Sequence, residues 1–273
     1  MNKIYQVYQI SDSTGETLDR IFLAIKAQFS NFNCKMIHYS FTRTKNQIDK
    51  IISKSKLEKN VIILYTIVDS ELAKYMVSES KKNNIPYFEV LSNLITDFSK
   101  LLKQKANRKP SGQHALDKEY YDRIEAVQFT MSHDDGKKIS DLEKSDVILI
   151  GISRTSKTPT SIYLANRGYK VSNIPIIPNK ELPIQVIKSS KITCAIGLVC
   201  DVARLSDVRR NRVQSMHEYR PGNYTKEKEI LNELEKSKKI FKKYNWPIID
   251  VTRKSVEETA ASIIKILDIL NSK

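Results

Sequence analysis

"DVILIGISRTSKTPTSIYLANRG", Asp146 to Gly168, decides the fold of this chain. Its first part, Val147-Ile148-Leu149-Ile150, is an uninterrupted apolar run and reads as a strand buried on both faces. Gly151 opens a turn, a helical pattern runs from Lys157 to Arg167, and Gly168 stands where a helix stops. A strand, a turn and a helix in that order form the setting of a phosphate-binding loop. The loop pattern is Gly, four residues, Gly, Lys, then Ser or Thr. Gly151, Lys157 and Thr158 satisfy it, and Ser156 occupies the position of the second glycine. An ordinary basic surface turn is the competing reading.

The chemistry of such a loop is specific. Backbone N–H groups from Gly151, Ile152, Ser153, Arg154, Thr155, Ser156, Lys157 and Thr158, together with the partial positive charge of the helix N-terminus, would cradle a phosphate. Lys157 would neutralise the distal oxygens and Thr158 would hold Mg2+. Pro159 is compatible with the first helical turn, where its missing N–H is tolerated.

Working outward, the first hundred residues alternate short apolar runs with longer helical patterns, which predicts an open α/β sheet. Strands are expected at 4–10, 36–41, 61–66 and 86–90, and helices at 16–29, 44–57, 70–83 and 94–105. Leu18, Ile21, Phe22, Ile25 and Phe29 recur at spacings of three and four, an expected buried stripe. Between 107 and 144 the periodicity weakens around Pro110 and Gly112, and this piece reads as a linker and crossing segment with a strand at 125–131. After the loop, strands are expected at 171–174 and 193–198, and helices at 201–216 and 226–244. "WPIIDVT" reads as a final strand, with Trp246 a packing residue, and Ser255 with Glu258 forms a capping box before the last helix. The fold class is therefore α/β: an N-terminal open α/β domain (1–106), the linking segment (107–144), and a P-loop kinase-like α/β domain (145–273).

The chain has 273 residues, enough to bury a full core, and its formal charge is +15. That charge suits phosphate-rich ligands, an acidic partner or nucleic acid. The lysines are dispersed over several segments and are not interleaved with aromatic residues, so no nucleic acid is expected, and a solvated lysine-rich surface accounts for most of them. Cys34, Cys194 and Cys200 are isolated, which argues against structural zinc or a disulfide framework. No run of about 18 apolar residues is present, so a membrane span is not expected. A reducing, cytoplasmic setting is the default.

The chain's beginning resembles the later loop in a weaker form. After the strand at 4–10, "SDSTGET" supplies Asp12, Ser13, Thr14 and Gly15 before a helix. These residues suit phosphate contact, and a Ser/Thr helix cap explains the same letters equally well.

Four ordered stretches then narrow the reading. "SDSTGET", "HALDKEYYDRIEAVQFTMSHDDG", "GISRTSKTPTSIYLANRGYKVSNIPI" and "WPIIDVTRKSVEETA" resemble the pyruvate phosphate dikinase regulatory protein family, which also includes regulators of phosphoenolpyruvate synthase. The resemblance covers nearly the whole chain, and "SRTSKTP" is its most specific part. It implies a bifunctional serine/threonine kinase and phosphorylase. One activity transfers phosphate from ADP to a threonine of the dikinase, releasing AMP and inactivating the target. The other uses inorganic phosphate to remove that phosphoryl group as pyrophosphate. Pyruvate phosphate dikinase is the implied protein substrate, and a homodimer is implied by family analogy.

This chemistry needs a cradle, cations and a carboxylate. Arg154 lies within the loop and could reach the transferring phosphate, with an outward salt bridge as the competing reading. Asp201 follows a probable strand end and is a candidate base and Mg2+ ligand, unless it only caps a helix. Asp134 and Asp135 lie in a family-like stretch, with a plain turn as the alternative. Arg204, Arg209 and Arg210 would present a basic helix face to phosphate or target, or pair with surface acids. Arg253, just past the final strand, is a candidate nucleotide contact. His114 could help recognise the phosphorylated target. A small-molecule P-loop kinase and a non-enzymatic nucleotide- or nucleic-acid-binding regulator are the competing classes.

Overall fold

The computed structural model describes residues 3–112, 118–216 and 224–272. The chain divides into two compact units, Met1–Ala115 and Leu116–Lys273.

In the first unit, strands β1 (Tyr5–Ser11), β2 (Cys34–Tyr39), β3 (Val61–Thr66) and β4 (Tyr87–Glu89) form a parallel sheet in the order β2-β1-β3-β4. They alternate with helices α1 (Glu16–Lys26), α2 (Lys45–Ser55), α3 (Ser70–Lys82) and α4 (Ser92–Leu102). Thr44 and Gln47 close a capping box that starts α2, and the Asp69 side chain caps α3. Tyr8, Ile10, Ile63 and Tyr65 pack against Ile48, Ile51, Ile52 and Met76 to build the larger core of this unit. The expected stripe on α1 is only half realised. Leu18 and Phe22 are buried, but the helix ends at Lys26, and Ile25 and Phe29 are exposed beside an apolar groove of about 1000 Å³. Ile62 and Phe88 of the sheet line the same groove.

The second unit repeats the strand order. Strands β5 (Val147–Gly151), β6 (Val171–Pro175), β7 (Cys194–Val199) and β8 (Ile248–Asp250) run parallel as β6-β5-β7-β8. Every residue of β5 is buried, as its apolar run requires. The other elements are α5 (Lys118–Ser132), α6 (Lys157–Ala165), α7 (Ile184–Ser189), α8 (Val202–Met216), α9 (Glu227–Lys243) and α10 (Val256–Asn271). Trp246 is buried against Phe241 and Tyr244. Gly168 adopts φ +90 after α6, and the Ser255–Glu258 capping box is formed in full at α10.

One element differs in kind from the sequence reading. Residues 125–131 belong to helix α5 and are not a strand. Ala126 and Thr130, four apart, are its buried positions, and the Val171 N–H donates to Thr130 Oγ1 at 3.0 Å where β6 begins. A short run containing Ala, Val, Phe and Met fits either period, and here contact with α6 and β6 selects the helix. The segment read as linker and crossing piece thus contributes α5 to the second unit.

Both sheets share one consequence. β1 lies between β2 and β3, and β5 between β6 and β7, so the chain leaves each central strand toward opposite sides in successive crossovers. The loops after β1 and β5 sit at these switch points, where open α/β sheets leave a crevice.

Candidate functional site

The loop after β5 is built around a glycine that nothing else can replace without movement. A Cβ on Gly151 would meet Leu198 O at 2.7 Å and Thr155 Oγ1 at 2.8 Å. Arg154 (φ 71) and Ser156 (φ 58) both adopt left-handed backbone conformations, which non-glycine residues seldom accept. Ser156 is thus held in the geometry for which the loop pattern prescribes glycine. Where left-handed residues alternate with right-handed ones, successive N–H groups can form an anion-binding concavity.

Lys157 is the first residue of α6 and only 6% exposed. Its Nζ reaches back across the loop and donates to Ile152 O at 2.9 Å, while Thr155 Oγ1 donates to the same carbonyl at 3.0 Å. Burial pushes the Lys157 ammonium down to about 8; Asp135 and Asp134 oppose that shift, and Arg154 and Arg209 add to it. Carboxylates therefore stand close enough to Lys157 to be felt.

They come from a 3₁₀ turn, Asp134–Gly136, that follows α5. Asp134 Oδ1 accepts from Thr158 Oγ1 at 3.0 Å and from Asn173 Nδ2 at 2.6 Å, and Asn173 Nδ2 also donates to Thr158 Oγ1 at 3.0 Å. The Asn173 N–H donates to His133 O at 3.1 Å, which ties the turn to β6. Behind it, the buried His133 ring lies between Phe129 O (2.8 Å) and Asp141 Oδ1 (2.9 Å). Hydrogen bonds from Lys138 and His133 hold the Asp141 carboxyl far below the usual carboxylate range. Asp135 follows with φ 55, exposed, and a Cβ on Gly136 (φ 72) would press on Pro175 at 3.3 Å. A strained turn held this firmly is the kind of feature that active sites retain.

Asp201 and Thr158 are not brought together. The Asp201 N–H donates to Thr252 Oγ1 (2.9 Å), and its Oδ1 accepts from Arg204 N (3.1 Å), so this carboxylate caps α8. The carboxylate at Thr158 is that of Asp134. Asp201, Arg204, Thr252 and Arg253 instead line an open polar cleft of about 750 Å³ at the ends of β7 and β8.

Arg209 departs from the basic-face reading altogether. It is fully buried and pairs with Glu233 at 2.7 Å, because the sequence's apolar helix side also has to accommodate a fold-back of α9. Arg204 and Arg210 remain exposed, and Arg210 donates to Ser206 Oγ at 2.9 Å. Arg154 is partly buried, with no ion pair among those formed by the described residues.

In the first unit, the loop after β1 forms a small polar pocket of about 150 Å³ lined by Ser11, Asp12, Ser13, Gly15, Lys109 and Ser111, among others. Asp12 is buried, which raises its carboxyl, and its Oδ2 accepts from Val68 N at 2.7 Å. Ser111 Oγ donates to Ser13 Oγ (3.0 Å) and Ser40 Oγ donates to Thr14 O (2.7 Å). The helix cap is Gly15 itself (φ 92), with no side-chain capping bond, so the hydroxyls there are not spent on a Ser/Thr cap. His114 lies outside the described residues.

The sequence reading missed Asn173 and the Arg209–Glu233 pair. A polar Asn inside the buried "VSNIP" strand was a usable signal for the first. Nothing in local spacing marks the second, since its partners are 24 residues apart.

One stability test follows from Ser156. Ser156→Gly relieves a left-handed conformation worth roughly 1–2 kcal/mol, offset by roughly 0.4–1 kcal/mol of added unfolded-chain freedom. Thermal melting is expected to show a small gain, and calorimetry with ADP and ATP to show binding retained. Loss of both affinities would mean the loop works by another geometry.

The model of the kinase/pyrophosphorylase family matches residues 7–264. A relative from Pelagibacter ubique (strain HTCC1062), named "Putative pyruvate, phosphate dikinase regulatory protein", is 58% identical over 269 residues, 98% of each chain. Relatives with the same name from Bartonella tribocorum (42% over 265 residues, 97% of this chain and 96% of the relative) and Rhizobium meliloti (43% over 264 residues, 95% of each) are also similar. With a matched span that includes the loop, the strained acidic turn and both sheets, the chain belongs to the kinase/pyrophosphorylase family and is a bifunctional kinase and phosphorylase.

Proposed function

We propose that this enzyme phosphorylates a threonine of pyruvate phosphate dikinase at the expense of ADP and removes the phosphoryl group by phosphorolysis, both at the loop 151–158. The observation that carries the reading is the buried Lys157 of the loop, whose neighbour Thr158 donates to Asp134 of the acidic turn. The name these relatives carry supports the choice of target.

In the forward direction the threonine hydroxyl oxygen bonds to the β-phosphorus of ADP, the bond to the bridging oxygen breaks, and AMP leaves. Asp135, exposed beside Lys157, takes the hydroxyl proton. In reverse, an oxygen of inorganic phosphate bonds to the phosphorus of phosphothreonine, pyrophosphate forms, and Asp135 returns a proton to the departing threonine oxygen. The backbone N–H groups of 151–158, Lys157 and Arg154 hold the phosphoryl oxygens in both directions.

Among the described residues no group of three or more His, Cys, Asp or Glu is placed to hold a metal. That suits Mg2+, which is commonly held by one or two carboxylates and by substrate phosphates rather than by a protein cage. The paired Thr158 hydroxyl and Asp134 carboxylate fit that role. Mg2+ there would supply neutralisation of phosphate charge.

Arg253 and Arg204, in the cleft beside β7 and β8, are assigned to the nucleoside end of ADP and to the target respectively. The pocket around Asp12, Ser13, Thr14 and Gly15 is assigned to contacts with phosphate or target. Nucleic acid has no place in this scheme. Among the described residues no helix is long and apolar enough to cross a membrane. A homodimer is part of the proposal by family analogy.

Incubating the purified enzyme with Mg2+, ADP and either pyruvate phosphate dikinase, phosphoenolpyruvate synthase or no protein tests the reading. AMP release with phosphothreonine formation only in the first reaction supports it. Transfer to phosphoenolpyruvate synthase alone moves the target. ADP turnover without protein favours a small-molecule kinase, and no turnover anywhere favours a non-enzymatic regulator.

The exposed Arg204 and Arg210 give a further expectation. Reversing both to Glu should lower kcat/KM for the dikinase by about tenfold at low salt, because a local field raises encounter rates. ADP affinity should hardly change, and the difference should shrink as salt shortens the screening length to roughly 8 Å or less. Kinetics as a function of ionic strength, with duplex DNA as competitor, check this; unchanged target kinetics with tight DNA binding would contradict it.

A further inference from the structure

Arg209 is the largest fully buried side chain among the described residues, and its contacts converge on one residue of the phosphate loop. Its Nη2 donates to Glu233 Oε2 at 2.7 Å and to Ser153 O at 3.3 Å. Its Nη1 donates to Tyr224 O at 3.0 Å and to Glu233 Oε1 at 3.3 Å. The guanidinium also lies over the Tyr224 ring, 4.7 Å from its centroid, and the Tyr224 hydroxyl is hydrogen-bonded to Ser153 Oγ at 2.9 Å. The carbonyl and the hydroxyl of Ser153 are therefore held from outside the loop by one assembly carried on α8, α9 and the segment before α9. Ser206 Oγ, one helical turn from Arg209, donates to Thr225 O at 2.9 Å and fixes that segment to α8.

We propose that Arg209 is a positioning residue for phosphate binding: clamped by Glu233, it orients the Ser153–Arg154 peptide of the loop. The inference rests on the reading of 151–158 as a phosphate site. The peptide is planar and trans, so the Ser153 carbonyl and the Arg154 N–H point in opposite directions. Drawing the carbonyl toward Arg209 turns the Arg154 N–H away from it. The left-handed backbone at Arg154 (φ 71), an uncommon conformation for a bulky residue, is then held by the same contact. A planar fork is needed for this, since two arms must reach a carboxylate, Tyr224 O and Ser153 O at once. A lysine has one compact ammonium and cannot span them. Glu233 satisfies the buried charge, so the clamp is neutral overall and its side chain is 15% exposed. Arg209 touches no substrate in this scheme. It acts through Ser153.

The test separates positioning from folding. Removing one partner alone strands a buried charge, so the main variant is the apolar pair Arg209→Met with Glu233→Leu, a kind of replacement that buried ion pairs often tolerate. Circular dichroism and thermal melting verify the fold, and ADP and inorganic phosphate are titrated calorimetrically without any target protein. The expected result is a folded enzyme whose affinity for both is weaker by about tenfold or more, because small misplacements of binding groups are costly. In steady state, KM for ADP should rise and kcat fall while KM for the dikinase stays within about twofold. Arg209→Lys, which keeps the charge pair and loses the fork, should fall between wild type and the double variant. If the apolar pair does not fold, Arg209→Lys carries the test alone, and wild-type affinities in it would overturn the inference. Unchanged ADP and phosphate affinity in a folded double variant would also overturn it while leaving the loop assignment standing. A wild-type enzyme that binds neither ADP nor phosphate would remove the loop reading and the inference together.

Discussion

Lys157→Ala is expected to abolish most activity in both directions, by about 10²–10³-fold, with the fold intact. Its Nζ sits 2.9 Å from Ile152 O, inside the loop, where its positive charge would oppose the negative oxygens of a bound phosphate. In the absence of ligand its ammonium titrates near 8, pushed down chiefly by burial. The sign of the pH effect follows. Anions bind the protonated form, so ADP and phosphate affinity should be full below that value and weaken as pH rises through it. Lys157→Arg should flatten this alkaline limb, because a guanidinium stays charged. For stability the direction is opposite: a lysine with a lowered folded pKa is penalised below about 8, and the penalty disappears as pH rises toward its unfolded value. Kinetics in both directions, ADP titrations between roughly pH 6.5 and 9.5, about one and a half units either side of the pKa, and circular dichroism check these outcomes. A folded alanine variant with normal rates both ways would remove Lys157 from the mechanism.

Asp135→Asn should lower kcat by about 10²–10⁴-fold in phosphorylation and in phosphorolysis, with ADP affinity changed little. Asparagine tolerates the left-handed φ 55 and is nearly isosteric, so the turn keeps its shape while losing the carboxylate proposed to move the proton. Asp134→Asn should behave differently. Its Oδ1 is engaged by Thr158 and Asn173, so the variant should chiefly shift the Mg2+ concentration needed for half-maximal rate. Rates measured across a Mg2+ titration distinguish the two carboxylates. A reversal of these phenotypes would exchange their roles.

Much of the scaffold was legible in the sequence because parallel strands buried on both faces leave continuous apolar runs. β5 is the clearest, with its five residues buried. The ends of α6 and α10 were legible for local reasons, a glycine at Gly168 and the Ser255–Glu258 box. Residues 125–131 were misread because a short apolar run fits both periods, and only packing on α6 and β6 decides for α5. The loop spacing singled out Lys157 and Thr158, and Asp134 and Asp135 stood out in their own stretch, but the contact of Asp134 with Thr158 was not legible. Asp201 follows a strand end and attracts attention, yet it caps α8; Asp134 reaches Thr158 through a turn anchored on β6, a relation between residues 24 apart. Arg209 shows the same limit more strongly. In the sequence it is one arginine among several on a helix, and only its neutralisation by Glu233 allows it inside.

The central claim is that one loop carries phosphoryl transfer both to and from the target threonine. ADP labelled at its β-phosphate, supplied with Mg2+ and the dikinase, tests it most directly when unlabelled phosphate is added afterwards. Label should appear on threonine first and then in pyrophosphate, and Lys157→Ala should lose both transfers. Label reaching pyrophosphate at the wild-type rate when Lys157→Ala acts on pre-labelled dikinase would contradict it.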